Sequence, residues 1–385
     1  MNLQKWRGCA LSVLILNFLM VGFTNCSSGG FTTVMESPPS SGGKDPVPEQ
    51  PVTDDENPPA DSGSEPVPPS ENAFYVQPSA TICDVAKAGL YGLFCAIKPS
   101  RIDPSARDIY GTGTLADQRF GFGYHAIGFP PTGTEIQGTY LHFVGSYGRP
   151  YNPWTAKFDN DILLEEGMKK GFIVVQLAYD NRFMVNEDVC MTYKNFNNCA
   201  GLLRKEKITG QDVFPYADTP LADSIEQRLR KLSAHLISAN VFLPIPLTKA
   251  GAINYSALNI GGHSQGSGHA YFIALWVQVR RACFLGGPYD IADLVSPVAP
   301  IADWFTERAH PATPITNMKA ALSIDDSAYS NFITSFQYMG LVKNTHWVEV
   351  SGAPYRDREG TEINGHGAII QDPRFESVRA NACFN

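Results

Sequence analysis

The chain of 385 residues is 43% hydrophobic and 18% charged, a balance with ample apolar material for a folded core. Its formal net charge of −8 is local: residues 27–71 hold nine Asp or Glu and one Lys, and the remainder is near neutral. That distribution gives no electrostatic case for nucleic-acid binding or for steering a charged substrate.

In chain order, Lys5 and Arg7 precede an apolar run over 10–23, too short and too soon followed by polar residues to span a membrane. Residues 1–25 are expected to be a signal peptide. Its end, Phe23-Thr24-Asn25-Cys26, resembles a bacterial lipoprotein signal whose cysteine is lipidated after cleavage. Asn25 departs from the small residue usual there, and a plain secretory peptide is the alternative. Residues 26–72 follow without apolar periodicity, and ten of the 28 prolines fall in 27–72. Such a segment cannot bury enough surface to offset the entropy of ordering, and is expected to be a disordered tether. It would reach from about 40 Å as a coil to about 140 Å when extended. The protein is therefore expected to be exported and lipid-anchored through Cys26 to a bacterial membrane or cell surface, or otherwise secreted.

From residue 73 the composition turns globular, and 73–385 is read as one catalytic domain. Strands are expected over 140–144 and 171–178, and 180–222, with no clear element, reads as an insertion over the site. Ile225, Leu229, Leu232 and Leu236 recur at helical spacing, predicting a helix over 224–236. A short strand at 257–260 leads through a Gly-rich turn into a helix reaching about 279. Further strands are expected at 282–285, 320–324 and 346–350, with a final helix over 368–382 interrupted or restarted at Pro373. Strands alternating with helices predict an α/β fold with a mostly parallel sheet. Six cysteines remain beyond Cys9 and Cys26, an even number suited to disulfides in an oxidising compartment. Cys190 and Cys199 are expected to pair around a short polar loop, and Cys283, in an apolar run, has a free buried thiol as its alternative. No cysteine or histidine cluster has metal-ligand spacing, so no metal site is expected.

Gly262-His263-Ser264-Gln265-Gly266 fits the G-x-S-x-G pattern, in which a serine occupies a strained strand-to-helix turn and its flanks must be small for the backbone to fold so sharply. Leu258-Asn259-Ile260 supplies the strand before it and small residues supply the helix after it. Residues 259–270 thus resemble the nucleophile elbow of α/β-hydrolase esterases and lipases. The resemblance implies an α/β-hydrolase fold over nearly all of 80–385, a mostly parallel central sheet covered by helices on both faces, and catalytic residues in the order Ser, acid, His.

On that resemblance Ser264 is the nucleophile. The acid is expected at the end of the 320–324 strand, Asp326 or Asp325, with Asp290 after the preceding strand as an alternative. The base is His366, between two glycines past the last strand. His346 opens that strand and is read as structural, while His263 and His269 are assigned to packing or hydrogen bonding. Oxyanion donors are expected from the amide of Gln265 and from the loop Gly145-Ser146-Tyr147-Gly148, through Ser146 or its neighbour Tyr147. The His-Gly usual in that loop is absent, since Val144 precedes Gly145.

The function this implies is extracytoplasmic cleavage of small-molecule or lipid carboxylic esters through a Ser-His-Asp triad and an acyl-enzyme, with no cofactor, no nucleic acid, and contact with a membrane only through the anchor. An amidase or peptidase on the same scaffold, and a binding protein that lost the chemistry, are the alternatives. Tyr147, Tyr151, Trp154 and Phe183 could line an acyl pocket or belong to the core.

Overall fold

The computed structural model describes residues 75–108, 123–193, 196–241, 243–244, 246–290 and 301–385. The expected signal peptide, Cys26 and the tether lie outside the described residues.

Among these residues one sheet has nine strands: β1 (Val85–Gly89), β2 (Gly92–Ile97), β3 (His125–Phe129), β4 (Gly138–Phe143), β5 (Phe172–Gln176), β6 (Leu258–His263), β7 (Arg281–Leu285), β8 (Met318–Ser323) and β9 (Trp347–Val350). Their spatial order is β1-β2-β3-β5-β4-β6-β7-β8-β9. The first three strands run antiparallel to their neighbours, and every pairing from β5 onward to β9 is parallel. Parallel strands need crossover connections, and helices supply them. α1 (Asp161–Lys169) joins β4 to β5; α2 (Cys199–Thr209) and α3 (Ile225–Ser238) lie between β5 and β6; α4 (Gln265–Trp276) follows β6; α5 (Tyr329–Tyr338) joins β8 to β9; α6 (Gly365–Gln371) and α7 (Glu376–Cys383) come last. β4 and β5 are buried along their whole length, as strands covered on both faces must be. One core lies under α2 to α5, with Leu203, Leu232, Ile273 and Phe336; the other lies under α1, α6 and α7, with Leu164, Met168, Ile369 and Ala380. This is the α/β-hydrolase architecture.

Several boundaries differ from the sequence reading. β6 runs on to His263 and so delivers the chain to Ser264 without a loop. α4 stops at Trp276, because Val277 is extended and its N–H closes on the carbonyl of Ile273. The last helix is interrupted at Pro373 as expected, by Asp372 and a single turn at Pro373–Phe375, and differs only in starting earlier, at Gly365. The reading of 180–222 as lacking elements is corrected, since it holds a π-turn at Val185–Cys190 and the 11-residue helix α2. That helix buries Arg204, Glu206 and Lys207, which breaks the apolar periodicity that would have announced it.

Three disulfides are formed: Cys83–Cys95, Cys190–Cys199 and Cys283–Cys383. The alternative of a free thiol at Cys283 is thereby excluded. Among the described residues no helix is long and apolar enough to cross a membrane, and no group of three or more His, Cys, Asp or Glu could hold a metal ion.

Candidate active site

The turn between β6 and α4 places Ser264 at φ 55° and ψ −125°, a conformation that costs a non-glycine residue about 1–3 kcal/mol. Its surroundings impose the turn. A Cβ on Gly262 would lie 2.1 Å from the Gly266 carbonyl carbon, and a Cβ on Gly266 would lie 2.1 Å from the Phe143 oxygen, so neither position admits a side chain. The Ser264 N–H donates to Leu285 O at 3.0 Å, and the Ser267 hydroxyl donates to Gly262 O at 2.7 Å, which ties the turn to β7 and to itself.

His366 stands in the first turn of α6, behind Asn364, whose side chain caps the helix by accepting from Gly367 N–H. A Cβ at Gly365 would come within 2.3 Å of Asp325 O, so the glycine allows this loop to press against the end of β8. The result is a contact of 2.6 Å between His366 Nδ1 and Asp326 Oδ2, with the Asp326 side chain 1% exposed and the His366 ring 27% exposed. The other Asp326 oxygen accepts from Ala328 N–H at 2.9 Å. Phe332 of α5 stacks against the His366 ring at 6.1 Å.

His263, the residue before Ser264, packs its ring 4.8 Å from that of His366, and its Nε2 lies 3.0 Å from the His366 carbonyl oxygen. Burial, together with the charge of nearby His366, pushes the His263 imidazole down to about 3. It is therefore neutral at ordinary pH, and donates Nε2–H to that carbonyl. In this way the elbow strand holds the backbone of the histidine loop.

The other sequence candidates have different partners. Asp325 accepts the Tyr355 hydroxyl at 2.5 Å. Asp290 is buried against Arg204, which meets it at 2.5 and 2.7 Å, and it also accepts from Trp304 Nε1 at 2.9 Å. Neither is directed at His366. His346 Nδ1 accepts from Val342 N–H, and His269 is buried beside Arg204.

In the loop after β4, Gly145 sits against the elbow: a Cβ built on it would be 3.2 Å from Ser264 Cβ. The Tyr147 N–H donates to Asn181 O at 2.9 Å and is not available to a ligand. Among the described residues the N–H groups of Ser146 and Gln265 have no acceptor. The Gln265 amide also lies at the positive end of the α4 dipole. The Ser146 hydroxyl donates to Gln265 Oε1, which accepts from Val185 N–H as well, so the loop after β4, the elbow and the insertion meet at one carboxamide.

The aromatic candidates divide. Tyr151 belongs to the core, while Trp154 and Phe183 are exposed and stack under Arg149 and Arg182. A cavity of about 380 Å³ between α2, α3 and the far end of α4, lined by Leu202, Glu226, Phe272 and Trp276, includes none of the candidate residues. Sequence reasoning did not single out Asn181, while its assignment of His263 to packing or hydrogen bonding matches the contacts with His366. A polar pair just past a strand was the one visible sign of Asn181.

No family model and no curated relative matches the chain. Among solved structures, a truncated carbohydrate esterase from gut microbiota is 12% identical, covers 79% of this chain and 97% of its own, and has a TM-score of 0.37. An S-formylglutathione hydrolase from Agrobacterium tumefaciens is 11% identical over 70% of this chain and 89% of its own, with a TM-score of 0.34. An arylesterase is 10% identical over 78% and 86%, with a TM-score of 0.35. At these values the likenesses assign the chain neither activity nor substrate.

Proposed function

We propose that the protein is a serine hydrolase that cleaves carboxylic esters through an acyl-enzyme on Ser264. The observation that carries this reading is the 2.6 Å contact between His366 and the buried carboxylate of Asp326, with the His366 ring packed 4.8 Å from that of His263, the residue before a serine held at positive φ. With Nδ1 facing Asp326, the imidazole presents Nε2 for proton transfer, and the ionised carboxylate orients the ring and stabilises the imidazolium that forms. His366 takes the Ser264 proton, the alkoxide attacks the ester carbonyl, and the C–O bond to the leaving alcohol breaks as His366 returns the proton to it. Water then attacks the acyl-enzyme with the same base, releasing the acid and regenerating Ser264. The negative charge of each tetrahedral intermediate falls to the amides of Gln265 and Ser146. Tyr147 and Asp325 have no part in this scheme.

The proposal extends to the organisation of the chain: a signal peptide over 1–25, lipid on Cys26, a tether to residue 72 and the hydrolase domain beyond it. Three disulfides agree with an exported protein. Labelling with a fluorophosphonate probe, followed by a panel of p-nitrophenyl esters and matching anilides, tests the activity. Labelling at Ser264 with ester turnover is expected. Labelling with anilide turnover alone selects an amidase, and no labelling at Ser264 removes the serine mechanism.

A further inference from the structure

We propose that Asn181 is the positioning residue of the oxyanion hole, which by holding the Gly145 carbonyl turns the Ser146 N–H toward the nucleophile. The inference rests on the reading of Ser264 as the nucleophile. Asn181 is 1% exposed and uses its whole carboxamide donor capacity on one loop: Nδ2 donates to Gly145 O at 2.7 Å and to Gly148 O at 2.6 Å. Its backbone oxygen accepts the Tyr147 N–H, and the Gly148 N–H adds a second bond to Gly145 O at 3.1 Å.

The Gly145–Ser146 peptide is trans, so its C=O and N–H lie in one plane and point in opposite directions. Fixing the carbonyl toward Asn181 therefore fixes the N–H away from it, in a loop so close to the elbow that a Cβ on Gly145 would stand 3.2 Å from Ser264 Cβ. A flip of that peptide would present an oxygen, instead of a donor, to the developing negative charge. Asn181 both supplies the orientation and blocks the flip. Capturing the Tyr147 N–H at the same time leaves Ser146, of the two candidates Ser146 and Tyr147, with the available amide.

Asn181 is itself held from both sides. Tyr179 donates its hydroxyl to Val144 O at 2.6 Å. Lys207 Nζ donates to Asp180 O at 2.6 Å, and the Asp180 carboxylate pairs with Arg182. Burial alone would raise the Asp180 carboxyl, but Lys207 and Arg182 outweigh it and hold the group below its ordinary range. Lys207 comes from α2, so the segment after β5 acts as a scaffold for the oxyanion loop. Preorganised donors of this kind carry much of the rate enhancement of acyl transfer.

The test is kinetics of Asn181→Asp and Asn181→Ser in the full chain on p-nitrophenyl acetate, with each rate divided by the number of sites labelled to completion by a fluorophosphonate. Asn181→Asp removes both donors and faces two carbonyls with an acceptor. Its kcat per labelled site should fall about 100-fold or more while KM changes less than about threefold. The inhibition constant of a trifluoromethyl ketone, which forms a tetrahedral adduct, should rise in parallel. Asn181→Ser, keeping one donor, should lie between, and it carries the test where Asn181→Asp does not fold. Fewer labelled sites at unchanged kcat per site, or a change in KM alone, would overturn the proposal by showing a structural role. Wild-type protein that carries no label at Ser264 would instead overturn the proposed function.

Discussion

Three carboxylates followed strands in the right part of the chain, and their environments separate them. Asp326 gives one oxygen to His366 and the other to a backbone amide, Asp325 gives its carboxylate to a tyrosine, and Asp290 is locked to Arg204. Asp326→Asn should lower kcat by roughly 10³- to 10⁴-fold, as loss of the orienting carboxylate does in a triad. Asp325→Asn should change kcat by less than about threefold. Asp290→Asn should leave Arg204 buried without its counter-charge and lower stability by about 3–5 kcal/mol, a loss read in the thermal midpoint before the kinetics. Equal kcat in all three variants would place the acid elsewhere. Spacing could not choose among them, because the choice is made by Tyr355 and Arg204, which lie far away in the chain. The strained turn at Ser264 was legible because it is a local steric problem, solved within five residues.

The same contrast holds for whole elements. The elbow helix α4 is apolar almost all round and follows a strand, so its existence was evident and only its end was misplaced. Helix α2 was hidden because its grip on the molecule comes from ion pairs. Arg204 meets Asp290 and also donates to Gln265 O at 3.1 Å, while Lys207 meets Asp180. Glu206 accepts from the amides of Phe214 and Thr219. A helix whose buried face is charged has no apolar stripe to read. The antiparallel strands β1 to β3 were missed for another reason, since Lys87, His125 and interspersed Gly and Ala break up their apolar runs. The elbow's backbone contacts lead to a prediction at this scale. Gly266→Ala places a methyl group 2.1 Å from a β4 carbonyl, so β4 and the elbow must separate. The variant should lose fluorophosphonate labelling and, where it folds at all, about 2 kcal/mol or more of stability, read by urea unfolding. A variant with wild-type labelling and midpoint would show that the turn is looser than its contacts imply.

At the scale of the molecule, four histidines, three of them buried and His263 half-buried, set the response to acid. Burial pushes His142 and His263 to about 3, and His125 and His269 also lie well below the usual imidazole range. All four are neutral in the folded chain, whereas the unfolded chain takes up protons from about pH 6.5 downward. Their contribution is complete above that value and is lost as pH falls toward the folded pKa values. Asp159, raised by burial to about 6, opposes this together with Glu166 and Glu226, which burial also raises, while Asp180 and Asp372, held low by their cationic partners, act with the histidines. The thermal midpoint should therefore be lower at pH 4.5 than at pH 7.5. A midpoint that rises on acidification would contradict the buried, neutral assignment. Covalent links act at the same scale. Cys283–Cys383 spans 100 residues, and closing such a loop is worth about 4–5 kcal/mol in the chain-entropy model. Non-reducing peptide maps should recover that link together with Cys83–Cys95 and Cys190–Cys199, and reduction should lower the midpoint. Cys26→Ala should move the protein from the membrane to the soluble fraction without changing turnover of a small ester. Mature wild-type protein that carries no lipid would end that proposal.

The charged grip of α2 gives the protein a particular relation to heat. The cost of stripping water from ions falls as temperature rises, while the benefit of burying each unit of apolar area levels off. Arg204–Asp290 and Lys207–Asp180 should thus hold their ground on warming at least as well as the two apolar cores. The segment around the candidate site would then be among the last to loosen, so turnover should climb with temperature up to the cooperative melt and collapse with it, with no earlier decline. The winter side is less favourable: in the cold the same ions regain their preference for water, and catalysis should weaken there sooner than the fold does.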